Sequence, residues 1–360
     1  MRWLAVLVLT GCGFDLSGTS PDGGGIDVPV GDATVDAGPL ASPRKLRFDN
    51  TASAEALMGF PVLVALTPQT IDYAVVANPA TDLRFEDVDT GTTLPFEVEQ
   101  WVPNGESIVW VRVPQIDSGS ADDYVLMHFG AGANGTQDAV GVWASNDVVT
   151  HFGPAYANSA GTTHNGSPIS MTQGPGQLGL GAVFPGGGNH GVQIREPQAL
   201  FNGWSQFTLE FWIYGDYPML STVANRSMFM DKGTSLNLGR FFVAGQDLVL
   251  QIDLHFTGTA NDVFLNTRPT PQAWTYVVYT FDGVRVRLYA NGVADGTHVM
   301  TGGLAEQLLT DTSDFYVGSP NNSFAGKMDE LRIAQVARSP DWIRAQHLSM
   351  TRAFVTVGDP

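Results

Sequence analysis

Residues 274–292 read Trp274-Thr275-Tyr276-Val277-Val278-Tyr279-Thr280-Phe281, then Asp282-Gly283, then Val284-Arg285-Val286-Arg287-Leu288-Tyr289-Ala290, then Asn291-Gly292. Bulky β-branched and aromatic residues fill the first run, and its side chains alternate between two faces as a strand requires. An Asx-Gly pair supplies the positive backbone angles of a two-residue hairpin turn. Two such turns bracketing a seven-residue alternating run predict a β-meander. On its middle strand Val286 and Leu288 share one face, while Arg285, Arg287 and Tyr289 share the other.

Outward from this stretch the same pattern recurs. Thr208–Tyr214 is an aromatic strand, and Phe60–Leu66 is a dense apolar run suited to a buried one. Asp82–Glu86, Leu94–Trp101, Ser107–Val113 and Tyr124–Phe129 are further strands, separated by turns such as Asp89-Thr90-Gly91 and Asp117-Ser118-Gly119. Many short strands at this spacing predict an all-β protein of two β-sandwich domains. One helix is expected: Ser339 is a good N-cap and Pro340 a good first residue, carrying the helix to about His347. A last strand, Phe354–Val357, is expected to close the second sandwich.

Composition narrows the partners. Acidic residues outnumber basic ones 36 to 18, a net charge of −18, so nucleic acid and anionic lipid surfaces are poor partners. The single cysteine, Cys12, removes disulfides, thiolate metal sites and cysteine nucleophiles from consideration. From Gly13 to Pro43 the chain has glycines, prolines and the aspartates 15, 22, 27, 32 and 36, with no lysine or arginine. Such a stretch has too few apolar groups to order itself, and about 30 residues of coil span roughly 30 Å.

At the N-terminus, Arg2, the apolar run Trp3–Leu9 and Gly11 have the layout of an export signal too short to span a bilayer. Leu9-Thr10-Gly11-Cys12 resembles the lipobox of bacterial lipoproteins. The resemblance implies cleavage before Cys12, acylation of that residue, and display at the cell envelope. If the host is Gram-negative, Gly13 in place of an aspartate implies the outer membrane, by analogy with lipoprotein sorting. The expected layout is a signal at 1–11, an acidic disordered linker at 12–43, one sandwich at 44–141 and a second at 142–360.

Two further resemblances concern the folded part. Arg44-Lys45-Leu46, Phe60-Pro61-Val62-Leu63-Val64, Asp82-Leu83-Arg84-Phe85, Leu94–Trp101 and Val109-Trp110-Val111-Arg112-Val113-Pro114 are similar to the bacterial domain of unknown function 2341, over about Arg44–Gly141. Phe207–Trp212, Leu288-Tyr289-Ala290-Asn291-Gly292, Phe315-Tyr316-Val317-Gly318 and Phe324–Ile333 resemble laminin-G-like, concanavalin A-like jelly rolls, over about Val142–Gly358. These imply a non-enzymatic binding protein whose ligand is a carbohydrate or another surface macromolecule. A structural or adhesion protein making protein contacts and a divergent glycan-active enzyme remain as alternatives.

Residue chemistry leaves few catalytic choices. The Glu-x-Asp-x-x-Glu and Glu-x-Asp-x-Glu patterns of hydrolases with this fold are absent. Glu97 and Glu99 share a strand face but belong to the first domain's pattern, so no catalytic residue is assigned. Asp329 and Glu330 would point to opposite faces of an extended strand. Gly174-Pro175-Gly176-Gln177-Leu178-Gly179 has dinucleotide-binding spacing without the strand and helix that motif requires, and reads as a loop before the strand Ala182–Phe184. No Gly-x-Ser-x-Gly elbow occurs, and no two of the seven histidines are spaced i, i+4. Calcium is the one cofactor the jelly-roll resemblance implies, with Asp329 and Asn158 as ligands; the alternative is that Asp329 holds backbone in a tight corner. Arg285, Arg287 and Tyr289 form the expected ligand face, as long donors beside an aromatic ring.

Overall fold

A computed structural model describes residues 42–153, 155–195, 200–215, 227–241, 249–257, 260–264, 269–300 and 305–359. The signal, Cys12 and nearly all of the linker lie outside the described residues. Residues 39–360 form one compact unit. Among the described residues, no helix is long and apolar enough to cross a membrane.

The first sandwich sets a five-stranded sheet against a three-stranded one. The larger runs Val355–Gly358, Arg44–Phe48, Tyr124–Phe129, Leu83–Asp87, Thr93–Leu94, and the smaller Leu57–Leu66, Ser107–Ile116, Phe96–Gln100. Leu46, Phe60, Val62, Val64, Phe85, Phe96, Val111 and Met127 fill the space between. One expectation fails here. The C-terminal strand does not close the second sandwich; it pairs antiparallel with Arg44–Phe48, Leu46 opposite Val357. The helix Pro340–Met350 brings the chain back, burying Trp342 edge-on against Phe60 at 4.8 Å between ring centroids. The segment 340–358 therefore belongs to the first sandwich, outside the expected 44–141.

The second sandwich is the expected jelly roll. One sheet carries Ser323–Ala334, Phe207–Tyr214, Thr275–Phe281, Arg285–Ala290 and Val293–Val299 in that order. The meander read from 274–292 is there, with Tyr279 opposite Leu288. Through one parallel bridge, Met228 opposite Ser323, the sheet continues into Ser227–Lys232, Leu236–Phe241, Val249–His255 and Ala260–Phe264, which form the second layer. Phe211, Ile213, Phe229, Val277, Tyr279, Leu288, Phe315, Leu331 and Ile333 pack between the two layers. The glycine run 174–179 is a hairpin turn, Gly176 N donating to Gly179 O, between Thr172–Pro175 and Leu180–Gly187.

Every residue of Thr275–Phe281 is buried, so the strand has no solvent face. The side expected to be open is covered by the first sandwich. Leu63, Ile108, Trp110 and Trp143 meet Trp212, Tyr276, Val278 and Tyr289, with Ile343 and Met350 of the helix, in a third apolar cluster. Ser349 Oγ, on that helix, accepts the Leu63 N–H at 2.8 Å. The two sandwiches thus share an apolar seam.

Candidate functional site

At one end of the seam the packing turns polar, with contributions from both sandwiches. Glu97 and Glu99 sit on Phe96–Gln100, where a register shift against Ser107–Ile116 falls between Val98 and Gln100. His151 follows the strand Val148–Thr150, which pairs with Ser323–Ala334. Glu330 and Arg332 lie on Ser323–Ala334, at a bulge opposite Glu210–Trp212. Glu330 has a left-handed φ of 51°, so the segment is not the extended strand assumed for Asp329 and Glu330. Both carboxyls are directed away from the jelly-roll core, Asp329 to the Leu178 N–H at 2.8 Å and Glu330 to His151.

The imidazole of His151 is the hub. Its Nδ1 lies 2.6 Å from Glu330 Oε1 and 3.5 Å from Glu99 Oε2, and its Nε2 lies 3.3 Å from Glu97 Oε2. Each carboxylate has a second partner. Glu97 accepts from Trp143 Nε1 at 2.5 Å and Ser159 Oγ at 2.6 Å, and Glu99 from Trp110 Nε1 at 2.7 Å. Glu330 accepts from Arg332 Nη2 at 2.5 Å. The Arg332 guanidinium is sandwiched between Trp110 and Trp143, 4.5 and 4.6 Å from their rings, a contact that stabilises a cation out of water.

The buried carboxyls crowd two cations, His151 and Arg332, and this splits their acidities. Burial pushes Glu99 up to about 8, with the Glu330 charge adding to it. Burial and the charges of Glu330 and Glu99 likewise hold Asp329 well above the usual carboxylate range. Burial alone would raise Glu97 and Glu330 too, but the His151 charge keeps both below their ordinary value, helped at Glu330 by Arg332. Burial works against a charged His151; Glu330, Glu99 and Glu97 outweigh it and raise the imidazole well above its ordinary value.

Beside this cluster a cleft of about 430 Å³ opens, lined by Glu97, Glu99, Gln100, Trp101, His151 and Ser159, with Gly179 and Leu180 of the hairpin on its wall. Gly179 has a φ of +44°, and a Cβ there would come within 3.1 Å of Glu99 Oε1 and Gln100 Oε1. Glycine keeps the wall clear of both side chains.

The residues expected from the sequence are placed differently. Arg285 is exposed, Arg287 Nη1 is tied to Asp282 Oδ2 at 2.7 Å, and Tyr289 is buried in the seam at 1% exposure. The three make no open ligand face, because the first sandwich covers the side on which Tyr289 projects. Asn158 is consumed by backbone: Oδ1 accepts from Val149 N and Ala160 N, and Nδ2 donates to Asp147 O and Thr163 O. Asp329 accepts from Leu178 N and Glu330 N. These residues do not fit a calcium ligand set; Asp329 holds the corner instead. Glu99, His151, Glu330 and Arg332 went unassigned in the sequence. The one signal available was that Glu97 and Glu99 share a face.

Residues 80–153 match the model of the domain of unknown function DUF2341. Residues 186–344 match Laminin_G_3, of the concanavalin A-like lectin/glucanases superfamily. The two matches lie in that order along the chain. The site is therefore built across the two, with Glu97, Glu99 and His151 in the DUF2341 match and Glu330 and Arg332 in the Laminin_G_3 match. No curated protein matches the chain. Among solved structures it is similar to domain 4 of AbnA, a GH43 extracellular arabinanase from Geobacillus stearothermophilus in complex with arabinotriose, at 17% identity and a TM-score of 0.43, covering 55% of this chain and 98% of that one. It is also similar to the binding domain of Paraclostridial Mosquitocidal Protein 1, at 13% identity and a TM-score of 0.40, covering 51% of this chain and 48% of that one. For the botulinum neurotoxin serotype G binding domain the identity is 9%, the TM-score 0.44, and the shares 55% and 49%. The chain spans about half the length of these two.

Proposed function

We propose that the protein is a lipid-anchored binding protein of the cell envelope that takes a carbohydrate, or a macromolecule displaying one, in the cleft beside the seam. The observation that carries this reading is the cleft lining. Trp101 offers a flat apolar surface, and Gln100, Ser159 and the Glu97 carboxylate offer hydrogen-bonding groups, the mixture that holds a polyol in a concave site. The membership of residues 186–344 in the lectin/glucanases superfamily agrees with it. The test is retention on immobilised polysaccharides of residues 39–360, which form one compact unit. Wild-type protein should be held by at least one polysaccharide, and Trp101→Ala should be retained at least tenfold less.

The anchor rests on Leu9-Thr10-Gly11-Cys12. Acylated protein should enter the detergent-rich phase on phase separation, and Cys12→Ser should move it to the aqueous phase. Wild-type protein in the aqueous phase would remove the anchor from the account.

One observation favours a second reading as a glycan-active enzyme. Glu97 and Glu99 line the same cleft, and their environments push them apart in acidity, one down and one up, as in acid and base pairs. Release of reducing ends by the wild type, abolished in Glu97→Gln, would establish it.

A further inference from the structure

We propose that Glu99, His151 and Glu330 form a site for one divalent transition-metal ion, with the cleft as its entry. The three donor atoms, one imidazole nitrogen and two carboxylate oxygens, lie within 4.8 Å of one another. Both carboxylates converge on the same ring nitrogen, Nδ1, at 2.6 and 3.5 Å. A proton on Nδ1 can serve one of them, and Glu330 takes it; Glu99 is held at a separation too long for a hydrogen bond. An ion in the place of that proton would bind all three. Zinc at about 2.0–2.2 Å from each ligand separates the donors by roughly 3.4 Å, so the 2.6 Å contact must widen by less than about 1 Å.

The surroundings match what a ligating histidine needs. With Nδ1 on the metal, Nε2 keeps its hydrogen and faces the Glu97 carboxylate at 3.3 Å, the carboxylate–histidine–metal arrangement that fixes the ring. The two ligand carboxylates are oriented in turn by Trp110 and Arg332. Glu99 and His151 line the cleft, which leaves the ion's remaining coordination positions open on that side. A nitrogen donor with two carboxylates suits zinc, manganese or iron over calcium, whose sites are built from oxygen alone. The proposal is independent of whether the cleft takes a sugar, because zinc itself is the probe.

The experiment is isothermal titration of the full-length chain, stripped with chelator and held in detergent, with zinc chloride. One equivalent should bind to the wild type. Glu99→Gln keeps a carbonyl oxygen for the Trp110 N–H and should bind zinc roughly 100-fold more weakly, and Glu97→Gln roughly 10- to 100-fold more weakly. No binding by the wild type, or equal binding by Glu99→Gln, overturns the proposal. Anomalous diffraction at the zinc edge from wild-type crystals keeps the question decidable if a variant fails to fold. A peak between Glu99, His151 and Glu330 supports the site; a peak only elsewhere, or none, overturns it.

Discussion

At the scale of single residues, the seam is held by a cation that could not stand alone there. Arg332 is 1% exposed, clamped between two tryptophans and bonded to Glu330. Removing it leaves Glu330 without its guanidinium and leaves a void between the rings. Arg332→Ala should cost roughly 3–5 kcal/mol in urea unfolding, and a loss under about 1 kcal/mol would show that the clamp contributes little. A separate carboxylate gives the pH dependence. Asp311 accepts hydrogen bonds from Thr234 N, Thr234 Oγ1 and Ser313 N. Burial alone would raise it, but these bonds together hold it below the ordinary carboxylate range. A folded-state value below the unfolded one stabilises the fold above the unfolded pKa of about 3.9 and loses that contribution as pH falls toward the folded one. The side chain is only part-buried, and solvent screens its charge, so Asp311→Ala should cost about 1 kcal/mol at pH 7. The gap to wild type should narrow steadily below about pH 4 in denaturant titrations.

At the scale of elements, much of the architecture could be read from local signals. Asx-Gly turns fixed the 274–292 meander, and Ser339 with Pro340 marked the start of the helix, where Ser339 Oγ accepts the Trp342 N–H at 3.1 Å. The apolar run at 60–66 is the buried strand it resembled, within Leu57–Leu66. Long-range pairing was not readable. Nothing in Phe354–Val357 says that its partner is Arg44–Phe48 about 310 residues earlier in the chain, and chain order suggested the nearer sandwich. The candidate site was hidden for the same reason: its members come from two strands and the residue after a third, and a bulge with a left-handed Glu330 aims one of them. Tyr289 misled because alternation gives two faces without saying that a second sandwich covers one. The helix makes the C-terminal return testable. Trp342→Ala should destabilise the first sandwich by about 3–5 kcal/mol, read as a drop in the urea midpoint. An unchanged midpoint would mean that the segment 340–358 is dispensable to it.

At the scale of the whole molecule, the two sandwiches form one body, because the jelly-roll face that strand alternation left open is covered by the first sandwich. A seam that buries Trp110, Trp143, Trp212, Tyr276 and Tyr289 couples their stabilities. Calorimetric unfolding of residues 39–360 should give a single transition whose calorimetric and van't Hoff enthalpies agree, and two resolved transitions would mean independent modules. The same coupling places the cleft where neither sandwich alone could build it, with Glu97, Glu99 and Trp101 from one and Ser159, Gly179 and Leu180 along the other. The most direct test of this shared cleft as the binding site is polysaccharide retention of residues 39–360 beside the Trp101→Ala variant. The account predicts retention by wild type and its loss in the variant, with both proteins unfolding at the same temperature within a few degrees. Equal retention of the two, or no retention of either, would contradict it.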